Sequence, residues 1–180
     1  MLSQFQLFLS DVEKFAGRRL DLKLIHGDFL AYEGESQYDL VFNVGVVEHF
    51  LDDRDREVFL KKKIALCKPG GYIASVVPNG QHPLRERMRK EGLGGYCIPE
   101  IDYSPELMAR EMIKAGATDV TVIPYNLFGY LLMDSQCPKL KHAMNRFTYL
   151  SAQILPRLKV QTLYRHAGTL ICIARRRAFS

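Results

Sequence analysis

The stretch that decides the fold runs from Leu22 to Asn79. It begins LKLIHGDFLAYEGESQYDLVFNVGVVEHF, continues through a charged segment and ends LCKPGGYIASVVPN. The pattern reads strand, acidic turn, strand, loop, helix and strand, which is the order of elements in an α/β protein with a parallel sheet. In such sheets ligands bind beyond the carboxyl ends of the strands. Asp28 and residues 43–49 both fall at predicted strand ends.

The sequence around this stretch predicts further helices and strands. Apolar residues at helical spacing predict an amphipathic helix over residues 2–16, with Gly17 as its C-terminal cap. Ser104 is the predicted N-cap of a helix that has Pro105 at its first position. Residues 39–44 are almost continuously apolar, which is typical of a central strand covered on both faces. Strands are predicted at residues 20–26, 39–44, 72–77, 119–124 and 169–174, and helices at 52–67, 106–115 and 138–158.

The chain is long enough for one domain, predicted over residues 1–180. Residues 79–103 are its least regular part, because they combine several glycines and prolines with a short basic amphipathic segment. We expect them to form a lid-like excursion over the face where the strands end.

Three short segments, in this order, carry a resemblance to a known family. They are Gly27-Asp28-Phe29, the strand YDLVF that runs into VVEHF within residues 38–50, and LCKPGG at residues 66–71. Together they resemble the class I S-adenosylmethionine-dependent methyltransferases, over about residues 1–125. The resemblance implies a Rossmann-like methyltransferase sheet that is mostly parallel, with one antiparallel C-terminal strand beside the strand at 72–77.

The resemblance also implies a binding site for S-adenosylmethionine. In the family, the residue at the Asp28 position accepts a hydrogen bond from the adenine amino group, and the residue at the Phe29 position lies against the adenine ring. The residues at the positions of Asn43, Val44 and Gly45 line the methionine end.

His49 is the candidate catalytic residue, because an imidazole titrates near neutral pH and this one follows a strand end. The candidate substrate-binding residues are Glu48, Tyr96 and Tyr103. Structural alternatives stay open for each. Asp28 is also a common turn former at strand ends. Glu48 and His49 are equally suited to anchoring the helix that follows, and loop tyrosines often serve only in packing.

Two motifs of the family have no counterpart in this sequence: the glycine-rich first loop and the acidic residue that holds the ribose. The expectation is therefore an N-terminally truncated, incomplete sheet without the family's first two strands. Residues 20–26 would then lose both natural neighbours. They either pair directly with residues 39–44 or stay loosely attached, and the second outcome leaves an open apolar edge for self-association or a protein partner.

Composition limits the remaining classes. The net charge of +5 is spread over several elements, so a solvated surface is favoured over a nucleic-acid footprint. The four cysteines include no C-x-x-C pair, which argues against a zinc site and a disulfide framework, and no metal site is predicted. No apolar run is long enough to span a membrane, and residues 1–16 do not resemble a signal peptide. We therefore expect a cytoplasmic protein.

Two functions follow as hypotheses. The first is methyl transfer from S-adenosylmethionine to a small-molecule acceptor, in which the protein aligns donor and acceptor. The second is a non-catalytic methyltransferase remnant that acts as a partner-binding subunit through its open sheet edge.

Overall fold

The structure is a computed structural model that describes residues 2–91, 98–127, 143 and 159–178, with side chains described from residue 9 onward. The chain divides into two compact units, Met1–Tyr32 and Glu33–Ser180. Each unit is described by itself.

The first unit contains one helix, α1 (Leu2–Ala16), which confirms the helix predicted over residues 2–16. Gly17 follows it with φ +64°, the left-handed conformation that ends many helices. The backbone N–H of Leu20 then donates to the Glu13 carboxylate at 2.8 Å.

The prediction of a strand over residues 20–26 is wrong, because these residues have no regular secondary structure. Alternating apolar residues form a strand only when a neighbouring strand satisfies their backbone N–H and C=O groups. Among the described residues, the sheet contains no strand before Tyr38.

The second unit is built on a four-stranded sheet. Its strands are β1 (Tyr38–Val44), β2 (Cys67–Pro78), β3 (Ala117–Leu127) and β4 (Ala167–Arg176), in the spatial order β1-β2-β4-β3. β1 and β2 are parallel, whereas β4 is antiparallel to both β2 and β3. The predicted antiparallel C-terminal strand beside residues 72–77 is therefore confirmed. By its pairings the described sheet is mixed rather than mostly parallel, because β4 contributes two antiparallel pairings.

Helices α2 (Asp53–Leu66) and α4 (Pro105–Lys114) contact the sheet and bury its core. Each begins at a side-chain cap, in which Asp52 accepts from the N–H of Arg54 and Ser104 accepts from the N–H of Leu107. The predicted Ser104 cap is confirmed. The two helices contribute the buried side chains Phe59, Leu60, Ile64, Met108 and Met112.

The described part of the second unit also contains two short helices, α3 (Arg85–Lys90) and α5 (Val160–His166). The predicted helix at 138–158 lies outside the described residues, apart from residue 143. Across the part of the chain that the structure describes, no helix has the length and apolar character needed to cross a bilayer.

β1 is the edge of the described sheet, so the prediction of a central strand covered on both faces is wrong. Val41 and Asn43 point towards the α2 side, but Leu40, Phe42 and Val44 are 53%, 63% and 60% exposed. These three residues are called the open face of β1 below. An apolar run indicates that a strand is at least partly buried. It does not indicate which of the two faces of the strand is covered.

Candidate functional site at the end of β1

The chain turns sharply where β1 ends. Gly45 has φ +64°, a conformation that residues with a side chain rarely adopt, and its N–H donates to the carbonyl of Val76 at 3.0 Å. A 3-10 turn, Val47–His49, follows directly. Gly45 therefore directs residues 45–50 away from the sheet at the carboxyl end of β1, beside the end of the parallel strand β2. These residues are called the strand-end loop.

Glu48 is the buried acid of the strand-end loop, with 1% of its surface exposed. Removal of its carboxylate from water raises the pKa of Glu48, and repulsion from Glu100 acts in the same direction. Among the described residues, no group forms a hydrogen bond with its Oε2 atom. A buried carboxylate oxygen without a partner is uncommon, and it calls for a ligand or an ion as explanation.

His49 is exposed and is held by the segment that follows α3. Its Nδ1–H donates to the carbonyl of Pro99 at 3.1 Å, since a carbonyl only accepts. One backbone bond also joins the two segments, from the N–H of Ile101 to the carbonyl of Glu48 at 2.9 Å. The strand-end loop and residues 99–101 are therefore fixed to each other at Glu48 and His49.

Arg85 connects the same segment to α3. It is buried, and it donates from Nη2 to Glu100 at 2.9 Å and from Nε to Asp102 at 2.5 Å. Asp102 also accepts from Arg89 at 2.7 Å. The charge of Arg85 is thus shared between two carboxylates, one of which lies beside Glu48.

Asn43 belongs to a buried polar network under α2. The Lys63 ammonium donates to Asn43 Oδ1 at 2.5 Å, to the Ala74 carbonyl at 2.7 Å and to Ser75 Oγ at 2.6 Å. Ser75 in turn donates to Asn43 Oδ1 at 2.8 Å. Burial lowers the pKa of Lys63 to about 7, and it raises the pKa of the nearby Cys172 thiol to about 12. The Asn43 side-chain oxygen is therefore engaged in the core, whereas no described group forms a hydrogen bond with its buried Nδ2 atom.

Tyr103 is fully buried, and its hydroxyl donates to Glu111 at 2.6 Å. The same Glu111 carboxylate accepts from Arg56 at 2.9 Å, and Arg56 also donates to the carbonyls of Phe50 and Leu51. This network holds the far end of the strand-end loop against α4. The assignment of Tyr103 to substrate binding stays a prediction.

In the first unit, Asp28 is exposed and Phe29 is half-buried. Asp28 Oδ1 accepts from the N–H of Leu30 at 2.9 Å, which is the local turn that aspartate commonly forms. A carboxylate has several lone pairs, so this bond leaves capacity for another donor such as an amino group. Tyr96, the remaining candidate for substrate binding, lies outside the described residues.

A separate cleft of about 690 Å³ lies beside α5. It is lined by Gln81, the start of α4, Val122 of β3 and residues of α5. None of the candidate site residues lines it, so a ligand held there and a ligand at the strand-end loop would contact different parts of the chain.

Sequence reasoning missed Lys63 and Arg85, because both stand in basic runs that were interpreted as solvated surface. For Lys63 a signal was present: it lies four and three residues after Phe59 and Leu60, which are buried on α2. For Arg85 the sequence carries no comparable signal. The partners that bury it, Glu100 and Asp102, come from a segment without a helical or strand pattern.

Comparison with solved structures identifies the fold. Similar chains include a SAM-dependent methyltransferase from Archaeoglobus fulgidus, at TM-score 0.58 and 16% identity over 92% of this chain and 79% of that one. A SAM-dependent methyltransferase from Thermotoga maritima, a possible histamine N-methyltransferase, matches at TM-score 0.55 and 14% identity over 93% of this chain and 68% of that one. A possible exported protein from Bordetella parapertussis matches at TM-score 0.57 and 15% identity, over 92% of this chain.

The chain therefore has an α/β fold of the class I methyltransferase type. It spans 48% of the Bordetella protein. No family model and no curated protein matches the sequence.

Proposed function

We propose that this chain binds S-adenosylmethionine and takes part in methyl transfer to a small-molecule acceptor. The observation that carries the proposal is the strand-end loop, in which Gly45 turns the chain outward at the carboxyl ends of two adjacent parallel strands. In open α/β sheets this is where ligands bind, and the fold is shared with SAM-dependent methyltransferases.

The cofactor contacts are proposed residue by residue. Asp28 would accept the adenine amino group, since its turn with Leu30 leaves lone pairs available. Phe29 would lie against the adenine ring. At the methionine end Asn43, Val44 and Gly45 would make the contacts. The Asn43 oxygen is bonded to Lys63, which leaves its Nδ2 donors and the backbone of the three residues for the ligand.

S-adenosylmethionine supplies a methyl group on a sulfonium centre that a nucleophile displaces. The task of the protein is then to position the two reactants and to exclude water. His49 is the proposed acid–base residue. With Nδ1–H bonded to Pro99, its neutral ring carries the lone pair on Nε2, where it can take a proton from an acceptor.

The proposal includes a single methyltransferase domain over residues 1–180, with residues 79–103 as a lid. The bonds from Pro99 and Ile101 to the strand-end loop support this role, because they connect the lid directly to Glu48 and His49. Tyr96 and Tyr103 remain the proposed substrate contacts of that segment. A cytoplasmic location is part of the same proposal.

The second candidate function is a non-catalytic, partner-binding subunit. The observation that favours it is the open face of β1 on an edge strand, because an exposed apolar edge offers both backbone hydrogen bonds and apolar surface to another chain. A folded chain that binds no S-adenosylmethionine but forms a defined complex would support this alternative.

Calorimetric titration with S-adenosylhomocysteine tests the main proposal. We expect binding on the order of micromolar by the wild type, and binding weakened at least about tenfold by Asp28→Ala, because a hydrogen bond to a charged group is lost. Asp21→Ala is the matched control, as Asp21 is another exposed aspartate of the same unit. Absence of binding by the folded wild type, or equal affinity of the wild type and Asp28→Ala, would contradict the proposed site.

A further inference from the structure

Three potential metal ligands converge beside the strand-end loop. Glu48, His49 and Glu100 each offer one ligand atom, and these atoms all lie within 4.8 Å of one another. Within the described part of the chain, these three residues form the group that could hold a metal ion. Metal–ligand bonds of about 2.0–2.2 Å place two ligands within about 4 Å of each other. Separations of up to 4.8 Å are slightly larger, so a cation would draw the imidazole nitrogen and the two carboxylate oxygens together through small side-chain rotations.

A second observation points to a ligand at the same place. Glu48 is 1% exposed, and no described residue forms a hydrogen bond with its Oε2 atom. Burial of a carboxylate costs several kcal/mol or more unless a charge or donor compensates, so carboxylates in this position generally pair or coordinate metal. The convergence of three side chains and the buried oxygen without a hydrogen-bond partner are independent observations. Both involve Glu48, and both indicate a bound ligand.

The surrounding contacts have the form of an outer coordination shell. His49 donates its Nδ1–H to the Pro99 carbonyl, which fixes the ring and leaves the lone pair on the other nitrogen. Metal-binding histidines usually make such a bond to a carbonyl or carboxylate. Glu100 is oriented by Arg85 at 2.9 Å, and the Ile101–Glu48 backbone bond holds the two carboxylate-bearing segments together.

Arg85 is a nearby positive charge that opposes cation binding, and it is partly neutralised. Its guanidinium also donates to Asp102 at 2.5 Å, so three carboxylates, Glu48, Glu100 and Asp102, face one arginine in this cluster. Arg89 shares the charge of Asp102. The part of the cluster next to Glu48 therefore retains negative charge to receive a cation.

We propose that Glu48, His49 and Glu100 form a binding site for a divalent transition-metal cation of the zinc type. The imidazole nitrogen selects this class over calcium and magnesium, which prefer oxygen ligands alone. Three protein ligands leave at least one coordination position for water or substrate, as in catalytic rather than structural sites. The exposure of His49 provides access from solvent.

One consequence rests on the proposed function. A cation here would bind an acceptor through an oxygen atom and lower the pKa of its hydroxyl group. With its Nε2 lone pair on the cation, His49 would act as a ligand instead of as the acid–base residue, so the hydroxyl proton would leave to water. An oxygen lone pair would form the new bond to the methyl carbon, and the electron pair of the breaking carbon–sulfur bond would stay on sulfur. The acceptor class is then a hydroxyl-bearing small molecule.

The test is calorimetric titration of chelator-treated, metal-free protein with Zn²⁺ alone, without S-adenosylmethionine. We expect one site, and at least a tenfold loss of affinity in His49→Ala and in Glu48→Gln. His26→Ala is the matched control, because His26 is an exposed histidine of the first unit. Because His49 is on the surface, its substitution should leave the fold intact, which circular dichroism checks. Loss of affinity in His49→Ala alone is sufficient support should Glu48→Gln fail to fold.

Two results would overturn the proposal. They are absence of Zn²⁺ binding by the folded wild type and unchanged affinity in His49→Ala. Substitution of Co²⁺ gives a further check, since a site with thiolate ligands has a charge-transfer absorption that a nitrogen and oxygen site lacks; such a band would assign the metal to cysteines and refute the site. Failure of the proposed function is read separately from the titration with S-adenosylhomocysteine.

Discussion

The buried Lys63 makes a specific prediction about stability and pH. Its ammonium is 1% exposed and is surrounded by three neutral acceptors, from Asn43, Ala74 and Ser75. Burial lowers its pKa from 10.5 to about 7. Between these two values the unfolded chain binds a proton at this lysine that the folded chain does not bind. The free energy of unfolding must therefore rise with pH in this range.

The size of the effect follows from the two pKa values. Integrating the difference in bound protons from pH 6.5 to pH 8.5 gives a contribution from Lys63 of about 2 kcal/mol in favour of the folded state. Cysteine thiols of the unfolded chain begin to ionise towards the upper end of this window, so the Lys63 contribution is measured as a difference between two proteins that share the same cysteines. The three acceptors favour the charged form and act against the shift, so about 2 kcal/mol is an upper value.

The assay is urea unfolding of the wild type and of Lys63→Met at several pH values in this window. The difference in unfolding free energy between the two proteins isolates Lys63, because other titrating groups cancel. We expect the wild type to gain about 1–2 kcal/mol relative to Lys63→Met as the pH rises from 6.5 to 8.5. Lys62→Met, one position along the same helix and only half-buried, should follow the wild type. Parallel curves for the wild type and Lys63→Met would refute the reasoning.

Three further predictions concern other parts of the second unit. Burial lowers the pKa of His82 to about 4, and the nearby His166 adds to this, so the wild type should lose stability as the pH falls from 6.5 to 4. In thermal unfolding His82→Asn should lose less stability than the wild type, and an equal loss would contradict the assignment. Tyr103→Phe removes the donor to Glu111 and should cost about 1–3 kcal/mol in urea unfolding; a change below about 0.5 kcal/mol would count against a structural role. Phe42→Lys on the open face of β1 should reduce self-association in sedimentation velocity, and a wild type that is monomeric at all concentrations would argue against an adhesive edge.

Local signals were sufficient for α1, α2 and α4, whereas α5 was not predicted. The 3.6-residue spacing of apolar residues fixed α1, and the serine–proline pair fixed the start of α4, because both depend on residues within one or two turns. The antiparallel position of β4 came from the resemblance to a family and not from the residues, since the sequence of a strand does not encode the direction of its neighbour.

Long-range signals failed for residues 20–26 and for the packing of β1. Both segments have strand-like composition, but a strand forms only where another strand pairs with it, and coverage of a face depends on elements distant in sequence. The same limit applies to the site. Glu48 and His49 were identifiable from their place after a strand, whereas Glu100 joins them only through folding of the segment after α3.

The central claim is that the strand-end loop belongs to a binding site for S-adenosylmethionine. The most direct measurement is an amide NMR titration of the isotopically labelled chain with S-adenosylhomocysteine. We expect the resonances of Gly45 and Val46 to shift in proportion to the amount of ligand bound. The resonances of Ala109 and Val122, which line the cleft beside α5, should not shift. Shifts confined to Ala109 and Val122, or no shifts in a folded chain, would contradict the proposed binding site at the strand-end loop.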